Sequence, residues 1–281
     1  MKTLPSLDPE LKTVLKRLKL GNILHTLPER IVFAQAQGLS FGELLLLVLQ
    51  DEVTRRDNSS AARRAQKAGL EADMVLERWD DTASVSFDKR VLAELCSLRF
   101  LEADRHVGIL GPVGVGKTFL ASALGHIACR HGYGVLFRRA DQMLKTLKQS
   151  RLDNSRDAVM IDLCSVDLLV IDDFALEPMT RDESRDVYQL FVERTGRAAT
   201  IITSNRDTSE WIAMFDDVLQ AQSAVDRFIN NAFDLVIEGE SYRPRLKPAL
   251  PDSTPPMPKS KDPIEAQRRT RQRADRLRGR R

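Results

Sequence analysis

Apolar residues in the first part of the chain recur at helical spacing. One set follows the i, i+3, i+4, i+7 pattern of a helix face: Leu11, Val14, Leu15 and Leu18. Further on, Ser40 precedes an apolar run at 44–49, and Glu43 stands three residues after it, which is the pattern of a capping box. Residues 1–88 contain no convincing strand. We therefore predict a small all-α domain over residues 1–88.

The hydrophobic pattern changes after residue 88, where short apolar runs alternate with longer helix-like stretches. The five predicted strands are His106–Gly111, Gly134–Arg138, Leu168–Asp172, Ala199–Thr203 and Leu235–Glu238. Strands that alternate with helices indicate a parallel sheet covered by helices on both faces. We therefore predict an α/β domain over residues 89–245, with a five-stranded parallel sheet.

The composition changes again near the end of the chain. Seven of the twelve prolines lie between Pro244 and Pro263, and eight arginines follow between Ile264 and Arg281. A stretch of this kind is typical of an extended linker and a charged tail, because it has too few apolar residues for a core. We predict that residues 246–281 form a proline-rich linker and a disordered arginine-rich tail.

A phosphate-binding loop of the pattern G-x-x-x-x-G-K-[ST] lies between the first predicted strand and a helical pattern. It consists of Gly111, Pro112, Val113, Gly114, Val115, Gly116, Lys117 and Thr118. Its backbone N–H groups can surround a polyphosphate, its lysine can reach the outer phosphates, and its hydroxyl can ligate Mg²⁺. The sequence therefore predicts an ATP site with Mg²⁺.

Polar side chains follow the next two buried strands. Asp172 and Asp173 end the strand that begins at Leu168, and Ser204 and Asn205 follow the strand that begins at Ala199. Ligands bind at the carboxyl ends of strands in such sheets. We expect Asp172 to hold Mg²⁺, Asp173 to orient or deprotonate the attacking water, and Asn205 to contact the γ-phosphate or that water.

Overall composition excludes several other classes of protein. The chain has 281 residues, a formal net charge of +3 and three cysteines without a CxxC pair. A disulfide framework and a zinc site are not indicated, and a reducing cytoplasm fits the cysteine usage. The longest apolar run is much too short to cross a bilayer, so no membrane association is expected.

Several segments together resemble the IstB-like ATPases, which are helper proteins of insertion-sequence transposition, and their relatives, the DnaC-like helicase loaders. The resemblance covers roughly residues 10–247. Besides the phosphate loop and the strand ending at Asp173, the similar segments are Leu98–Glu102, Arg130–Val135, Ile202–Asn205, Ser223–Phe228 and Glu238–Arg243. The resemblance implies a P-loop AAA+ three-layer fold and ATP hydrolysis coupled to DNA binding. It also implies a homo-oligomer on double-stranded DNA that recruits a transposase.

The resemblance also implies roles for two residues. Asn205 corresponds to the sensor position, and Arg227 corresponds to an arginine finger that reaches the γ-phosphate bound by a neighbouring subunit. Such a finger accelerates hydrolysis by ~10³–10⁵. The chain departs from the family where Asp173 replaces a common glutamate and where Phe119 replaces a common histidine.

Two basic patches are predicted to contact DNA phosphates without sequence preference. The first lies in the helical domain and consists of Arg55, Arg56, Arg63, Arg64 and Lys67. The second follows the second strand and consists of Arg138, Arg139, Lys145 and Lys148, with Arg151 beyond them. The arginine-rich tail is a third candidate, and solvated surface charge is the alternative explanation for each patch.

Other functions remain open from the sequence alone. The nearest alternative is a helicase loader that acts on a replicative helicase and single-stranded DNA, because the phosphate site does not separate the two functions. A small-molecule kinase and a nucleotide-gated scaffold without hydrolysis are further alternatives. The paired arginines of the N-terminal region favour DNA as the partner.

Overall fold

A computed structural model of the chain describes residues 5–246. The N-terminal region contains three helices, namely α1 (Pro9–Arg17), α2 (Ile23–Gln37) and α3 (Phe41–Ala68). The predicted capping box begins α3, since Ser40 Oγ accepts the Glu43 N–H and the Ser40 N–H donates to the Glu43 carboxylate at 2.8 Å. The predicted helix near residue 11 is confirmed as α1. Its apolar face is only partly covered, because Leu11, Val14 and Leu18 remain exposed.

The helix α3 is long enough to join two parts of the structure. Its first half packs on α2 around Val48, and its second half lies against the following α/β region, with Ala65 and Ala68 in the main core. A short 3-10 helix (Leu76–Arg78) and the two-residue strand β1 (Val85–Ser86) follow it. The expectation of no strand before residue 88 is therefore wrong at Val85–Ser86. Two residues are too few to produce an alternating pattern.

The remaining elements build the α/β region. Its strands are β2 (His106–Leu110), β3 (Val135–Arg139), β4 (Leu168–Asp172), β5 (Ala199–Ser204), β6 (Ala232–Val236) and β7 (Glu238–Gly239). Its helices are α4 (Lys89–Cys96), α5 (Arg99–Glu102), α6 (Lys117–Arg130), α7 (Ala140–Ser150), α8 (Arg156–Ser165), α9 (Arg181–Arg194) and α10 (Val218–Ile229). Two 3-10 helices lie at Thr208–Met214 and Arg243–Leu246.

Five strands form one parallel sheet in the order β3-β4-β5-β2-β6. The sheet has a hydrophobic core on each of its two faces. Alternate residues of β4 contribute to these two cores: Leu168 and Val170 pack on the side of α6, whereas Leu169 and Ile171 pack on the side of α9. Both faces of the sheet are covered, which explains the continuous apolar runs in the sequence. The predicted α/β class with a five-stranded parallel sheet is confirmed.

The fifth strand lies earlier in the chain than predicted. It was expected at Leu235–Glu238, but β6 spans Ala232–Val236 and starts opposite His106 of β2. β6 is one of the two edge strands of the sheet. Its Phe233 is half-buried and its Asp234 is exposed, so its first residues lack an apolar pattern. Glu238 instead belongs to β7, which pairs antiparallel with β1. The predicted linker and tail, apart from Leu246, lie outside the described residues.

Candidate functional site

The phosphate-loop sequence connects β2 to α6 at the carboxyl edge of the sheet. Gly116 is the N-cap of α6, and Lys117 and Thr118 form the first turn of that helix. The first turn of a helix carries N–H groups without intrahelical partners and the positive end of the helix dipole. The loop therefore has the backbone arrangement that binds phosphate groups.

Two glycines of the loop are required by close approach of the segment that follows β6. Gly111 has φ +148°, and a Cβ there would overlap the carbonyl oxygen of Ile237. Gly114 has φ +85°, and a Cβ there would overlap the Ser241 hydroxyl. The Tyr242 N–H donates to Gly114 O at 2.8 Å. The similar segment Glu238–Arg243, which sequence reasoning left without a position, thus reaches the phosphate loop through Ser241 and Tyr242.

Lys117 connects the loop to the end of β5. Its Nζ donates to Gly111 O at 2.8 Å, to Pro112 O at 2.7 Å and to Asn205 Oδ1 at 2.5 Å. The lysine side chain is buried, so these oxygens stabilise an ammonium group that is shielded from water. Two predicted site residues that lie 88 positions apart in sequence are therefore in direct contact.

Asp172 lies at the end of β4 with only 3% of its surface exposed. Burial raises the pKa of its carboxyl group, while hydrogen bonds from the Thr203 and Thr118 hydroxyls lower that pKa in part. The Thr203 hydroxyl donates to Asp172 Oδ1 at 2.6 Å. A buried carboxylate next to a hydroxyl is a set of hard oxygen donors that suits Mg²⁺, and a cation would offset its desolvation. These residues therefore fit the predicted metal.

Asp173 follows directly and has a fixed backbone. Its φ is +56°, in the left-handed region, and its N–H donates to Thr203 Oγ1 at 2.9 Å. Thr203 thus accepts from the Asp173 backbone and donates to the Asp172 side chain. The Asp173 carboxylate lies 3.8 Å from Arg139 Nη2. Sequence reasoning did not assign Thr203 to the site, although a hydroxyl at the end of a buried strand is a signal for it.

The last residue of β5, Ser204, and the residue that follows it, Asn205, have different surroundings. Ser204 is fully buried, and its hydroxyl donates to Phe174 O at 2.9 Å and accepts from Trp211 Nε1 at 3.3 Å. These bonds hold the chain segment after Asp173 against the end of β5. Asn205, in contrast, reaches Lys117, so it is the member of the pair that contacts the phosphate loop.

Arg227 lies away from these residues on α10. It is exposed, and its Nε donates to Ser223 Oγ at 3.4 Å on the same helix. Among residues 5–246, no hydrogen bond or ion pair joins Arg227 to Lys117, Asp172, Asp173 or Asn205. The role of Arg227 as an arginine finger therefore stays a prediction.

The arginines predicted to bind DNA through the first patch differ in their partners. Arg55 and Arg56 both pair with the buried carboxylate of Glu52, at 2.8 Å and 2.7 Å. Their guanidinium groups lower the pKa of Glu52 to about 2. Arg64 Nε donates to Cys129 O at the end of α6, which attaches α3 to the sheet region. Arg63 and Lys67 are exposed on the same face of α3.

The second patch is also divided. Arg139 pairs with Asp141 and Asp173, and Arg151 pairs with the buried Asp186 at 2.6 Å. The remaining members are exposed: Arg138, Lys145 and Lys148.

The helices were also compared with what a membrane span requires. None of the helices in the described part of the chain combines the length and the apolar character of such a span.

Comparisons with known proteins show a family of ATP-binding proteins. The family model described as IstB-like ATP binding protein matches residues 13–249. An ATP-binding protein of an insertion sequence from Mycobacterium tuberculosis is 36% identical over 243 residues, which cover 86% of this chain and 96% of the relative. The ATP-binding protein of insertion sequence IS21 from Pseudomonas aeruginosa is 34% identical over 85% of this chain and 90% of the relative.

Two solved structures have a similar fold. The crystal structure of DnaI has a TM-score of 0.51 and 19% identity, covering 60% of this chain and 94% of DnaI. The replication initiator DnaA, solved with AMPPCP and single-stranded DNA, has a TM-score of 0.50 and 22% identity, covering 61% of this chain and 51% of DnaA. These likenesses concern the fold, and with the sheet order they confirm the predicted P-loop AAA+ three-layer architecture.

Proposed function

The chain belongs to the IstB-like ATP-binding protein family, and from this membership we propose that it is a DNA-dependent ATPase of insertion-sequence transposition. With ATP bound, it assembles on double-stranded DNA as a homo-oligomer, remodels or marks that DNA and recruits a transposase. Hydrolysis of ATP then disassembles the oligomer. The names of the relatives, which refer to insertion sequences, favour this function over helicase loading.

The observation that carries the proposal is the meeting of the nucleotide residues at one edge of the sheet. Lys117 contacts Asn205, and Thr118 contacts Asp172, so the loop is joined to the ends of both β5 and β4. A triphosphate on the loop would lie next to a carboxylate for its metal and an amide for its γ-phosphate. A loop that only binds phosphate has no need of these partners.

Each residue then has a part in hydrolysis. Mg²⁺, held by Thr118 and Asp172, would neutralise charge on the outer phosphates. Lys117 Nζ, which is already directed into the loop, stabilises the charge that develops on the transferred phosphoryl group. Asp173 accepts a hydrogen bond from the attacking water and orients it, and Asn205 orients the γ-phosphate. A positioned general base contributes about 10²–10⁴ in rate.

Arg227 completes the site from a neighbouring subunit. It is exposed on α10 and bonds only within that helix among the described residues, so its guanidinium is available to a partner. A cation from a second subunit would stabilise the transition state and would couple hydrolysis to assembly. The isolated subunit is therefore expected to hydrolyse ATP slowly.

The proposed DNA surface uses two exposed cations of α3 that have no hydrogen-bond or ion-pair partner among residues 5–246. These cations are Arg63 and Lys67. The other basic residues of the first patch have partners in the fold: Arg55 and Arg56 pair with Glu52, and Arg64 donates to Cys129 O. Arginine and lysine side chains that contact phosphates give affinity that falls with salt and has little sequence preference. We assign duplex DNA to these side chains and a structural role to Arg64.

Subunit complementation tests the shared active site. The Arg227→Ala variant lacks the finger, and the Asp173→Asn variant lacks the base, so each alone should hydrolyse ATP at least 10²-fold more slowly than wild type. In an equal mixture that assembles at random, roughly a quarter of the interfaces combine an intact Asp173 with an intact Arg227. Turnover should recover to about that fraction in the presence of duplex DNA.

The matched control mixes Arg227→Ala with a chain that carries both substitutions, which creates no intact interface and should show no recovery. Equal rates in the two mixtures would contradict an active site shared between subunits.

Lys117→Ala should abolish ATP-dependent binding to duplex DNA, as measured by fluorescence anisotropy. Binding to duplex DNA that is unaffected by nucleotide would refute the proposed function.

A further inference from the structure

The residues that follow β4 are bonded to the end of β5 through consecutive backbone groups. The Asp173 N–H donates to Thr203 Oγ1 at 2.9 Å, and the Phe174 N–H donates to Thr203 O at 2.9 Å. Phe174 O accepts from the Ser204 hydroxyl at 2.9 Å. The position of Asp173 at the edge of the sheet therefore depends on the segment that begins at Thr203.

Arg206 extends this series of bonds by one residue. Its Nε donates to Ala175 O at 2.9 Å, two residues beyond Asp173. Its Nη1 lies 3.3 Å from the Glu210 carboxylate, and its backbone N–H donates to the Ser204 hydroxyl at 3.1 Å. The Arg206 side chain is 37% exposed, so it can be replaced without opening the core.

The loop has a backbone conformation that must be held by its surroundings. Asp173 has φ +56° and Ala175 has φ +58°, so both lie in the left-handed region. Residues other than glycine stay in this region only where the neighbouring structure holds them. An alanine has no polar side chain that could stabilise the conformation locally. Packing of Ala175 in the core and the bond from Arg206 to its carbonyl group therefore hold it in place.

We propose that Arg206 is a positioning residue for ATP hydrolysis, which acts through Asp173 by fixing the carbonyl group of Ala175. This inference rests on the proposed function, since it requires Asp173 to orient the attacking water. Asn205, which contacts Lys117, directly precedes Arg206. Two neighbouring residues thus join the phosphate loop to the loop that carries the catalytic carboxylate.

The size of the effect follows from the reach of the loop. Without the bond to Ala175 O, the loop should relax and displace the Asp173 carboxylate, and a displacement of ~1 Å can lower a rate by ~10²-fold. We expect Arg206→Met to lower kcat about 10- to 100-fold, which is no more than the loss of the base itself. The KM for ATP should stay within about twofold of wild type, because the phosphate loop is unchanged.

A double-mutant cycle tests whether Arg206 acts through Asp173. ATP hydrolysis is measured at saturating ATP and duplex DNA for full-length wild type, Arg206→Met, Asp173→Asn and the chain that carries both substitutions. If Arg206 only positions Asp173, the double variant should be as slow as Asp173→Asn, within about twofold. A guanidinium group that contacted the γ-phosphate directly would instead make the double variant slower than Asp173→Asn by about the factor that Arg206→Met loses alone.

Two further variants separate the contacts of Arg206. Arg206→Lys keeps a charged donor for Ala175 O and should stay within about threefold of the wild-type kcat. Glu210→Gln removes the ion pair but leaves the bond to Ala175 O, so it should keep the wild-type kcat. Thermal melts with Mg-ATP show whether each variant folds and binds nucleotide. If Arg206→Met is not stabilised by Mg-ATP, Arg206→Gln takes its place in the cycle.

Three results would overturn the inference: a kcat of Arg206→Met that equals wild type, a change that lies only in KM, or a double variant that is clearly slower than Asp173→Asn. If wild type hydrolyses ATP, such a result refutes only the role of Arg206. If wild type does not hydrolyse ATP with or without duplex DNA, the proposed function fails as well.

Discussion

The buried arginine at the end of α9 gives a direct test of what stabilises the α/β region. Only 1% of the Arg194 surface is exposed, and burial lowers the pKa of its guanidinium group to about 10, so the group is still charged at neutral pH. Its hydrogen bonds go to oxygens at the end of α8 and the start of β5. The acceptors are Leu163 O, Cys164 O, Val166 O, Ala199 O and Thr200 Oγ1.

Replacement by methionine in Arg194→Met should therefore destabilise the protein strongly. Methionine keeps an apolar stem but leaves these carbonyl groups without their donor, and the C-terminal carbonyls of α8 have no intrahelical partner. A hydrogen bond from a charged donor contributes about 1.5–3 kcal/mol, and a buried acceptor left without a partner costs about 1–3 kcal/mol. We expect the free energy of unfolding to fall by about 3–5 kcal/mol.

Urea denaturation followed by circular dichroism measures the effect. With an m-value of about 3 kcal/mol/M, the midpoint should fall by roughly 1–2 M. The matched control is Arg197→Met, three residues later, because Arg197 is exposed and pairs only with Glu193 at 2.9 Å. It should cost less than about 1 kcal/mol. A loss of less than about 1 kcal/mol in Arg194→Met would refute the reasoning.

Three further predictions concern charge. Burial raises the pKa of the Asp172 carboxyl group, so the ionised carboxylate opposes folding. The stability that the protonated group contributes at low pH is lost as the pH rises through its folded-state pKa. In melts at neutral pH, Asp172→Asn should therefore raise the melting temperature without nucleotide but abolish the increase caused by Mg-ATP. Burial lowers the pKa of His106 from 6.5 to about 4, so wild type should lose roughly 2 kcal/mol of stability between pH 7 and pH 5. Urea denaturation at both pH values should show that His106→Phe loses less free energy of unfolding between pH 7 and pH 5 than wild type does. In anisotropy titrations, Arg63→Glu combined with Lys67→Glu should weaken duplex binding and lower its salt dependence at unchanged ATP affinity.

The nucleotide residues could be predicted because their chemistry follows local patterns. A glycine-rich loop and two buried strands with polar ends determine most of the geometry, since parallel strands end at the same edge of a sheet. The contact of Lys117 with Asn205 follows from this rule. Thr203 carries a local signal, a hydroxyl at the end of a buried strand, but its contacts with Asp172 and Asp173 depend on the register of β4 against β5, which the sequence alone does not fix.

The DNA contacts stay predictions, because charge in a sequence does not show which partner a side chain takes. Arg55 and Arg56 hold Glu52, and Arg151 shares Asp186 with Arg156. A buried carboxylate requires compensating charge, so these arginines also stabilise the fold. Long-range pairs such as Arg151 with Asp186 are separated by 35 positions, which is beyond any local pattern.

The left-handed backbone at Asp173 helps to explain why an aspartate stands where the family commonly has a glutamate. Aspartate and asparagine adopt φ values near +56° at lower cost than most residues with longer side chains. An aspartate here therefore relieves strain that a glutamate would add. Its shorter reach is offset if the carboxylate can rotate freely, since Thr203 fixes the backbone and only the ion pair with Arg139 holds the side chain.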